Sequence, residues 1–142
     1  MKLVDANVLL YAVNTDADHH EPSRRWLDGA LSGQGTVAFA WIALLAFVRL
    51  ATKAGLFPQP LTMDEAMDRV EAWIGAGGAV VLEPTADHAR VIRGLLRPLG
   101  HGGNIVNDAH LAALAIEHRC GLVSYDHDFG RFSGVSWEPP PS

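Results

Sequence analysis

The chain has 142 residues, a net charge of −5 and an apolar content of 49%. This length fits one domain with a substantial core, and the moderate charge excludes a disordered polyelectrolyte. The acidic balance disfavours a protein that coats nucleic acid through charge alone, although it leaves room for a local basic patch.

Compartment and membrane association follow from a few further features. The single cysteine, Cys120, cannot form an internal disulfide, so we expect a reducing, cytoplasmic setting. The longest apolar run, Val37 to Leu50, is too short to span a membrane. Met1 to Leu3 leads straight into a strand-like segment without a signal-peptide pattern, so we expect no membrane partner.

The first half of the chain predicts strands that alternate with helices. In order, these are a strand at Lys2–Val4, a helix through Ala12 capped by Asn7, a helix at Glu21–Leu31, a strand at Thr36–Ala40 and a helix at Ile42–Lys53. The last helix is apolar nearly all round, which predicts that it is mostly buried. Its polar end carries Arg49 and Lys53, four residues apart on one face.

The second half continues the alternation. In order, it predicts a helix from the Thr62–Glu65 capping box to about Ile74, a strand at Ala79–Leu82, a helix at Asp87–Leu96, a helix with Asp108 in its first turn, and strands at Leu122–Ser124 and Val135–Trp137. Gly121 is expected to close the Asp108 helix in a left-handed conformation. Residues 1–137 form the predicted domain, and 138–142 form a Pro-rich tail without an expected fold.

This alternation predicts an α/β fold, a three-layer sandwich with a mostly parallel central sheet. Asp5 follows the first strand, Asp126 and Asp128 follow the strand at 122–124, and Asp108 opens a helix. All four carboxylates are therefore expected at the carboxyl edge of the sheet. Any one of them alone would more often be a cap or a turn residue, so the prediction of a site rests on the set.

Clustered carboxylates repel one another, and a hard cation with oxygen ligands, Mg²⁺ or Mn²⁺, relieves that repulsion. Such ions usually act on phosphate esters. Asn7 and Ser124 are expected beside the acids as neutral hydrogen-bonding neighbours. We predict hydrolysis by an activated water that leaves a 5′-phosphate and a 3′-hydroxyl, with Asp128 either positioning water or accepting a hydrogen bond beside the metal site.

Three segments together resemble the PIN-domain ribonucleases, and most closely the VapC toxins of type II toxin–antitoxin pairs. They are Asp5–Ala12, Asn107–Ala115 and Leu122–Phe129, and their order and spacing extend the resemblance over essentially the whole chain. The resemblance implies a Mg²⁺- or Mn²⁺-dependent endoribonuclease, usually dimeric and silenced by a VapB-type antitoxin. It assigns metal-site roles to Asp5, Asp108 and Asp126, with Asp128 close by and Ser124 at the family's small hydroxyl position.

One feature departs from that family. Many PIN domains carry a glutamate on the helix after strand two, whereas no acid occurs here from Gly29 to Met63. Phe47 or a neighbour occupies the corresponding position, which leaves open the number of metal ions. A second interpretation also stays open: the protein could be a binding module with the same fold and weakened catalysis. Glu117 lies too far along the Asp108 helix to compensate, and we expect it on a solvated face.

Another Mg²⁺-dependent phosphoryl-transfer enzyme on a similar sheet is the remaining alternative. A haloacid-dehalogenase phosphatase needs a second aspartate two residues after the first, where this chain has Asn7. A receiver domain needs a lysine late in the chain, and none follows Lys53. Both are disfavoured.

Basic and apolar surfaces suggest the partners. Five basic residues are candidates for contact with RNA or antitoxin: Arg49, Lys53 and the helical stripe of Arg90, Arg93 and Arg97. The segment Leu44–Phe57 carries more apolar side chains than one buried face needs, interleaved with charge. We therefore predict a homodimer and an antitoxin groove near Arg49.

Overall fold

The sheet consists of five short parallel strands. The structure is a computed structural model that describes residues 1–142, except the side chain of Gln34. The strands are β1 (Lys2–Val4), β2 (Val37–Phe39), β3 (Ala79–Val81), β4 (Gly121–Val123) and β5 (Trp137–Glu138). Their order across the sheet is β3-β2-β1-β4-β5, and every pair is parallel. The predicted α/β class is confirmed, and the sheet is parallel throughout rather than mostly so.

Six α-helices connect the strands. They are α1 (Ala6–Val13), α2 (His20–Gly29), α3 (Trp41–Ala51), α4 (Met63–Ile74), α5 (His88–Leu96) and α6 (Ile105–Glu117). Shorter helical segments follow at Ala30–Gln34, Arg97–Leu99 and His127–Arg131. Among the described residues, no helix combines the length and the apolar content that crossing a bilayer requires.

The core lies in two layers, one on each face of the sheet. Because side chains alternate along a strand, Val4 and Val123 pack with α1 to α4, whereas Leu3 and Leu122 pack with α5 and α6. The register pairs Leu3 with Leu122 and Val4 with Val123, so each layer is continuous across the two central strands. This is the predicted three-layer sandwich.

The cap of α1 differs from the prediction. Asp5, not Asn7, is the capping residue, because β1 ends at Val4 and Asp5 keeps an extended backbone with φ −84° and ψ 158°. Its Oδ1 atom accepts a hydrogen bond of 2.7 Å from the backbone N–H of Ala6. The side chain of Asn7 is thereby left free to make the contacts described below.

Helix α3 is mostly buried, as predicted, but it leaves one row of side chains exposed. Trp41 is 41% exposed and Leu45 is 57% exposed, and Arg49 and Lys53 continue this exposed row at intervals of four residues. The opposite side of the helix, which includes Leu44 and Phe47, packs into the core. The chain thus presents an apolar stripe with a basic end.

The C-terminal end of α6 also differs. The left-handed residue after the helix is Arg119, with φ 55°, whereas Gly121 begins β4. The flexible side chain of Lys2 crosses Gly121 from β1, and its Nζ atom would lie 2.9 Å from a Cβ atom placed there.

The proline-rich tail is partly folded. Glu138 belongs to β5 and its carbonyl accepts from the backbone N–H of Ser124 at 3.0 Å. Its side chain also lies 3.0 Å from Nζ of Lys2, and Pro140 is buried. Pairing with the sheet edge therefore extends the fold beyond the predicted boundary at residue 137.

Candidate metal centre

Three carboxylates converge at the carboxyl edge of the sheet. Asp108 lies in the first turn of α6, and Asp126 and Asp128 follow β4. One oxygen atom from each of the three lies within 4.8 Å of the others. Oδ1 of Asp126 accepts from the backbone N–H of Asp128 at 2.9 Å, which fixes the turn that carries both residues.

Asp5 lies beside this group without belonging to it. Its Oδ1 atom caps α1, and its Oδ2 atom accepts from Ser124 Oγ at 2.7 Å and from Asn7 Nδ2 at 3.4 Å. The sequence assigned the metal to Asp5, Asp108 and Asp126, whereas the closest set of oxygens replaces Asp5 with Asp128. Asp128 was expected to lie close by and to position water or accept a hydrogen bond, rather than to hold the metal.

Asn7 and Ser124 connect the two strand ends that bear the acids. The fully buried Ser124 hydroxyl accepts from Asn7 Nδ2 at 3.1 Å and from the backbone N–H of Asp126 at 2.9 Å. Asn7 Oδ1 in turn accepts from the backbone N–H of Tyr125 at 3.2 Å. Because β1 and β4 are neighbours, this network fixes the position of Asp5 relative to Asp126.

Crowding of like charges is visible in the acid–base properties of the site. Burial, together with repulsion from Asp126, Asp5 and Asp128, raises the pKa of Asp108 to about 6. Burial also raises the pKa of Asp5, despite the opposing hydrogen bonds from Ser124 and Ala6. A bound cation would remove the cause of this repulsion.

The donor set fits a hard divalent cation. All three close groups are carboxylates, the ligand type that Mg²⁺ and Mn²⁺ prefer. Oxygens on opposite sides of a Mg²⁺ ion lie about 4.2 Å apart, twice the usual Mg–O distance of about 2.1 Å. A spread of up to 4.8 Å therefore needs only small side-chain adjustments to close around one ion.

The position of the missing glutamate is apolar. A small cavity of about 120 Å³ lies between Asp5 and Asp108 on one side and Ile42, Ala43 and Ala46 of α3 on the other. Phe47 points elsewhere, since it is fully buried with its ring centroid 4.8 Å from that of Trp73. The side chains of α3 that share this cavity with the acids are thus apolar and uncharged.

Glu117 is not on a solvated face, so that prediction is wrong. Its side chain is only 2% exposed, and it accepts from the backbone N–H of Thr85 at 2.9 Å, from Thr85 Oγ1 at 2.6 Å and from His88 Nδ1 at 2.5 Å. His88 Nε2 lies 2.8 Å from His110 Nδ1. This network joins the first residue of α5 to one face of α6, from His110 near the start of the helix to Glu117 at its end.

Sequence reasoning missed this network, although a signal was present. His110 and Glu117 are seven residues apart and therefore share one face of α6.

The basic candidates fall in two places. Lys53 lines a cavity of about 360 Å³ together with Leu10, Tyr11 and Leu56, and Asn7 of the acidic site lies on its wall. The other stripe, Arg90, Arg93 and Arg97, is exposed on α5 and the turn that follows it. Arg90 lies 3.6 Å from Asp87 in its own helix turn. The groove at Lys53 therefore adjoins the acidic site through a shared residue.

Comparison with known proteins agrees with this architecture. The PIN domain profile matches residues 2–135. The chain is 62% identical to Ribonuclease VapC37 of Mycobacterium tuberculosis, over 100% of this chain and 99% of that protein. It is also 36% identical to Ribonuclease VapC31 of the same species, over 99% of each. The chain therefore belongs to the PIN-domain family and is a relative of the VapC ribonucleases.

Solved structures agree on the fold. The crystal structure of VapBC2 from Rickettsia felis, bound to a DNA fragment from its promoter, gives a TM-score of 0.70 over 97% of both chains, at 19% identity. At that identity the likeness concerns the fold. The parallel sheet described above is thus that of a PIN domain.

Proposed function

We propose that this protein is a divalent-metal-dependent endoribonuclease, the toxin of a VapBC-type toxin–antitoxin pair. The observation that carries the proposal is the group of three carboxylates within 4.8 Å at the carboxyl edge of a PIN-domain sheet. The 62% identity to a protein named Ribonuclease VapC37 supports the same activity.

The residues divide into two roles. Asp108, Asp126 and Asp128 supply the nearest oxygens for Mg²⁺ or Mn²⁺, and Asp5, which lies outside this close group, acts on the ion through a water molecule. Asn7 and Ser124 hold Asp5 and the Asp126 backbone in place. When bound, the ion supplies an activated water and offsets negative charge on the phosphate.

The proposed reaction hydrolyses an RNA phosphodiester with water as the nucleophile. The expected ends are a 5′-phosphate and a 3′-hydroxyl, because the 2′-hydroxyl does not attack. In the cation-free site, Asp108 with its raised pKa is the carboxyl group that keeps a proton most readily near neutral pH. That proton has to leave before Asp108 can act as an anionic ligand.

The test is cleavage of structured RNAs by purified protein with Mg²⁺, Mn²⁺ or a chelator, followed by mapping of the product ends. We expect cleavage with either ion and none with chelator. The Asp108→Asn variant controls for a contaminating nuclease, because it removes one anionic ligand while leaving the side chain's size unchanged. Products with 2′,3′-cyclic phosphates, or undiminished cleavage in Asp108→Asn, would refute the proposal.

The proposed partners use the surfaces around α3. The exposed stripe of Trp41 and Leu45, ending at Arg49, is the proposed homodimer contact, since apolar surface rimmed by charge is typical of such interfaces. The cavity at Lys53 and Leu56 is the proposed groove for a VapB-type antitoxin segment. A segment seated there would lie beside Asn7 and so next to the acidic site.

A second candidate is a binding module with weakened catalysis. The observation in its favour is the apolar wall of Ala43 and Ala46 beside Asp5 and Asp108, where many PIN domains place a glutamate. A metal titration separates the two candidates: the enzyme requires cleavage that rises with Mg²⁺ or Mn²⁺, whereas a binding module retains antitoxin without cleaving RNA at any metal concentration.

A further inference from the structure

We propose that the cavity beside the acidic edge is a base-binding pocket, which holds one unstacked nucleobase of the RNA next to the cleaved bond. This inference rests on the proposed ribonuclease function and adds to it the part of the substrate that the protein grips. The cavity has a volume of about 270 Å³, and its lining includes His19, Pro22, Tyr125, His127, Trp137 and two prolines of the tail, Pro139 and Pro140.

The first argument is position. Tyr125 and His127 alternate with Asp126 and Asp128 in one short segment after β4, so that the pocket wall and the carboxylates are neighbours in sequence. Successive Cα atoms are about 3.8 Å apart, so the wall residues Tyr125 and His127 follow the backbone within one residue of the carboxylates Asp126 and Asp128. A phosphate at the carboxylates would therefore bring a neighbouring base to this wall.

The second argument is the aromatic geometry. The rings of His19 and Tyr125 are stacked, with centroids 4.2 Å apart and planes inclined by 14°. The edge of Tyr11 packs against Tyr125 at 5.4 Å. His19 is exposed, so a planar group can continue the stack on its outer face.

The third argument is that this platform is fixed before any ligand arrives. The Tyr125 hydroxyl lies 3.1 Å from Oγ of the fully buried Ser23, a hydrogen bond that ties the end of β4 to α2. On the far wall, the rings of His127 and Trp137 meet nearly at right angles with centroids 5.3 Å apart. A preorganised site spends less binding energy on ordering its own side chains.

The chemistry of the walls selects the ligand. Nucleobases stack on aromatic and histidine rings, and single-stranded RNA is the form whose bases are free to do so. Pockets that enclose drug-sized ligands begin at about 300 Å³, so this cavity suits a single ring system rather than a larger molecule. The exposed His127 ring adds nitrogen atoms that can hydrogen-bond to a base edge.

The test is an NMR titration of the full chain in a chelator-containing buffer, which keeps the result independent of cleavage. The probes are the four common nucleoside 5′-monophosphates, with ribose 5-phosphate as the control that has sugar and phosphate but no base. We expect the nucleotides to shift the Trp137 indole N–H and the His19 ring signals in a saturable manner. Ribose 5-phosphate should leave both signals in place.

Matched variants complete the test. His19→Ala should weaken nucleotide binding by about fivefold to a hundredfold, the range for loss of one stacking partner, and His19→Tyr should restore it. His118→Ala, which removes a partly buried histidine just after the end of α6 and outside the pocket, should bind as wild type does. On a cleaved RNA, His19→Ala should raise KM and leave kcat within about twofold, because the stack positions the RNA without touching the reacting atoms.

The outcomes are distinct. Three results would each overturn the base pocket: equal shifts with ribose 5-phosphate, wild-type affinity in His19→Ala, or shifts with tryptophanamide but not with nucleotides. The third result would assign the cavity to a protein side chain. Absence of RNA cleavage with Mg²⁺ or Mn²⁺ would instead overturn the proposed function, whatever the titration gives.

Discussion

The buried carboxylate of Glu117 gives the sharpest test of the structure, because the sequence alone places that residue in solvent. Replacing Glu117 with alanine removes the acceptor of three hydrogen bonds. Thr85 is exposed, so water can replace much of what its two donors lose. The side chain of His88 is 14% exposed and loses a bond to a charged partner.

These contributions set the magnitude. A hydrogen bond to a charged group contributes about 1.5–3 kcal/mol, and an ordinary one about 1 kcal/mol. Counting the His88 bond in full and the two Thr85 bonds together as one gives a loss of about 3 kcal/mol in the free energy of unfolding. For a chain of this size, that corresponds to a fall in Tm of about 10 °C.

The same network makes a prediction about pH. Burial opposes ionisation of Glu117, but the hydrogen bonds from Thr85 and His88 outweigh it and hold the pKa of Glu117 below its usual value of 4.5. A lowered pKa means that this stabilisation is present above pH 4.5 and is lost as the pH falls through the lower value of the folded state. The difference between wild type and Glu117→Gln should therefore shrink under acid conditions.

Urea and thermal unfolding at pH 7 and at about pH 3.5 measure both effects. Glu71→Ala, which removes an exposed glutamate from α4, is the matched control and should change stability by no more than about 0.5 kcal/mol. If Glu117→Ala at pH 7 behaves like this control, Glu117 is solvated and the network described here is wrong.

Four further predictions concern the metal centre and the α3 surface. Asp108→Asn should lower RNA cleavage at least tenfold. It should nevertheless raise the Tm of the metal-free protein at pH 7.5, because the pKa of about 6 means that ionised Asp108 is repelled by its neighbours at that pH. The gain in Tm should vanish below pH 3.8, the ordinary pKa of aspartate, and a lower Tm at pH 7.5 would contradict the repulsion. Calorimetry without RNA should find weak Mg²⁺ binding, in roughly the millimolar range; two tight ions per chain would contradict the site. Ala46→Glu, which adds an acid to the wall facing Asp5, should tighten Mg²⁺ binding, and unchanged affinity would mean that this wall does not face the ion. Leu45→Lys should yield monomers by light scattering if the exposed α3 stripe is the dimer contact, and a persisting dimer would move that contact elsewhere.

Much of the fold is readable from the sequence because local signals and packing agree. The Thr62–Glu65 capping box forms as predicted, with reciprocal bonds of 2.9 and 3.1 Å. The meeting of strand-end acids follows from a general property of parallel sheets, whose carboxyl ends share one edge. Asp5 and Ser124 meet because β1 and β4 are adjacent and pair Val4 with Val123.

Side-chain detail is where sequence reasoning stops. Asp5 and Asn7 are both good capping residues, and only the end of β1 at Val4 decides between them. Asp5 caps α1 and accepts from Ser124, and its oxygens are not part of the closest carboxylate group. Glu117 was misjudged for a related reason: helical periodicity reports which face of α6 is apolar, but it does not reveal that α5 covers a polar one.

The apolar wall of α3 and the crowded carboxylates have a joint consequence under the proposed function. A fourth acid at Ala43 or Ala46 would add repulsion to a site in which burial and neighbouring charges already raise the pKa of Asp108 to about 6. Without that acid, charge repulsion destabilises the folded, cation-free protein less, but fewer anionic oxygens are present to bind an ion. Because Mg²⁺ often completes its coordination with substrate phosphate oxygens, RNA and metal should each strengthen binding of the other. Metal affinity in this protein would then be a property of the RNA complex rather than of the free chain.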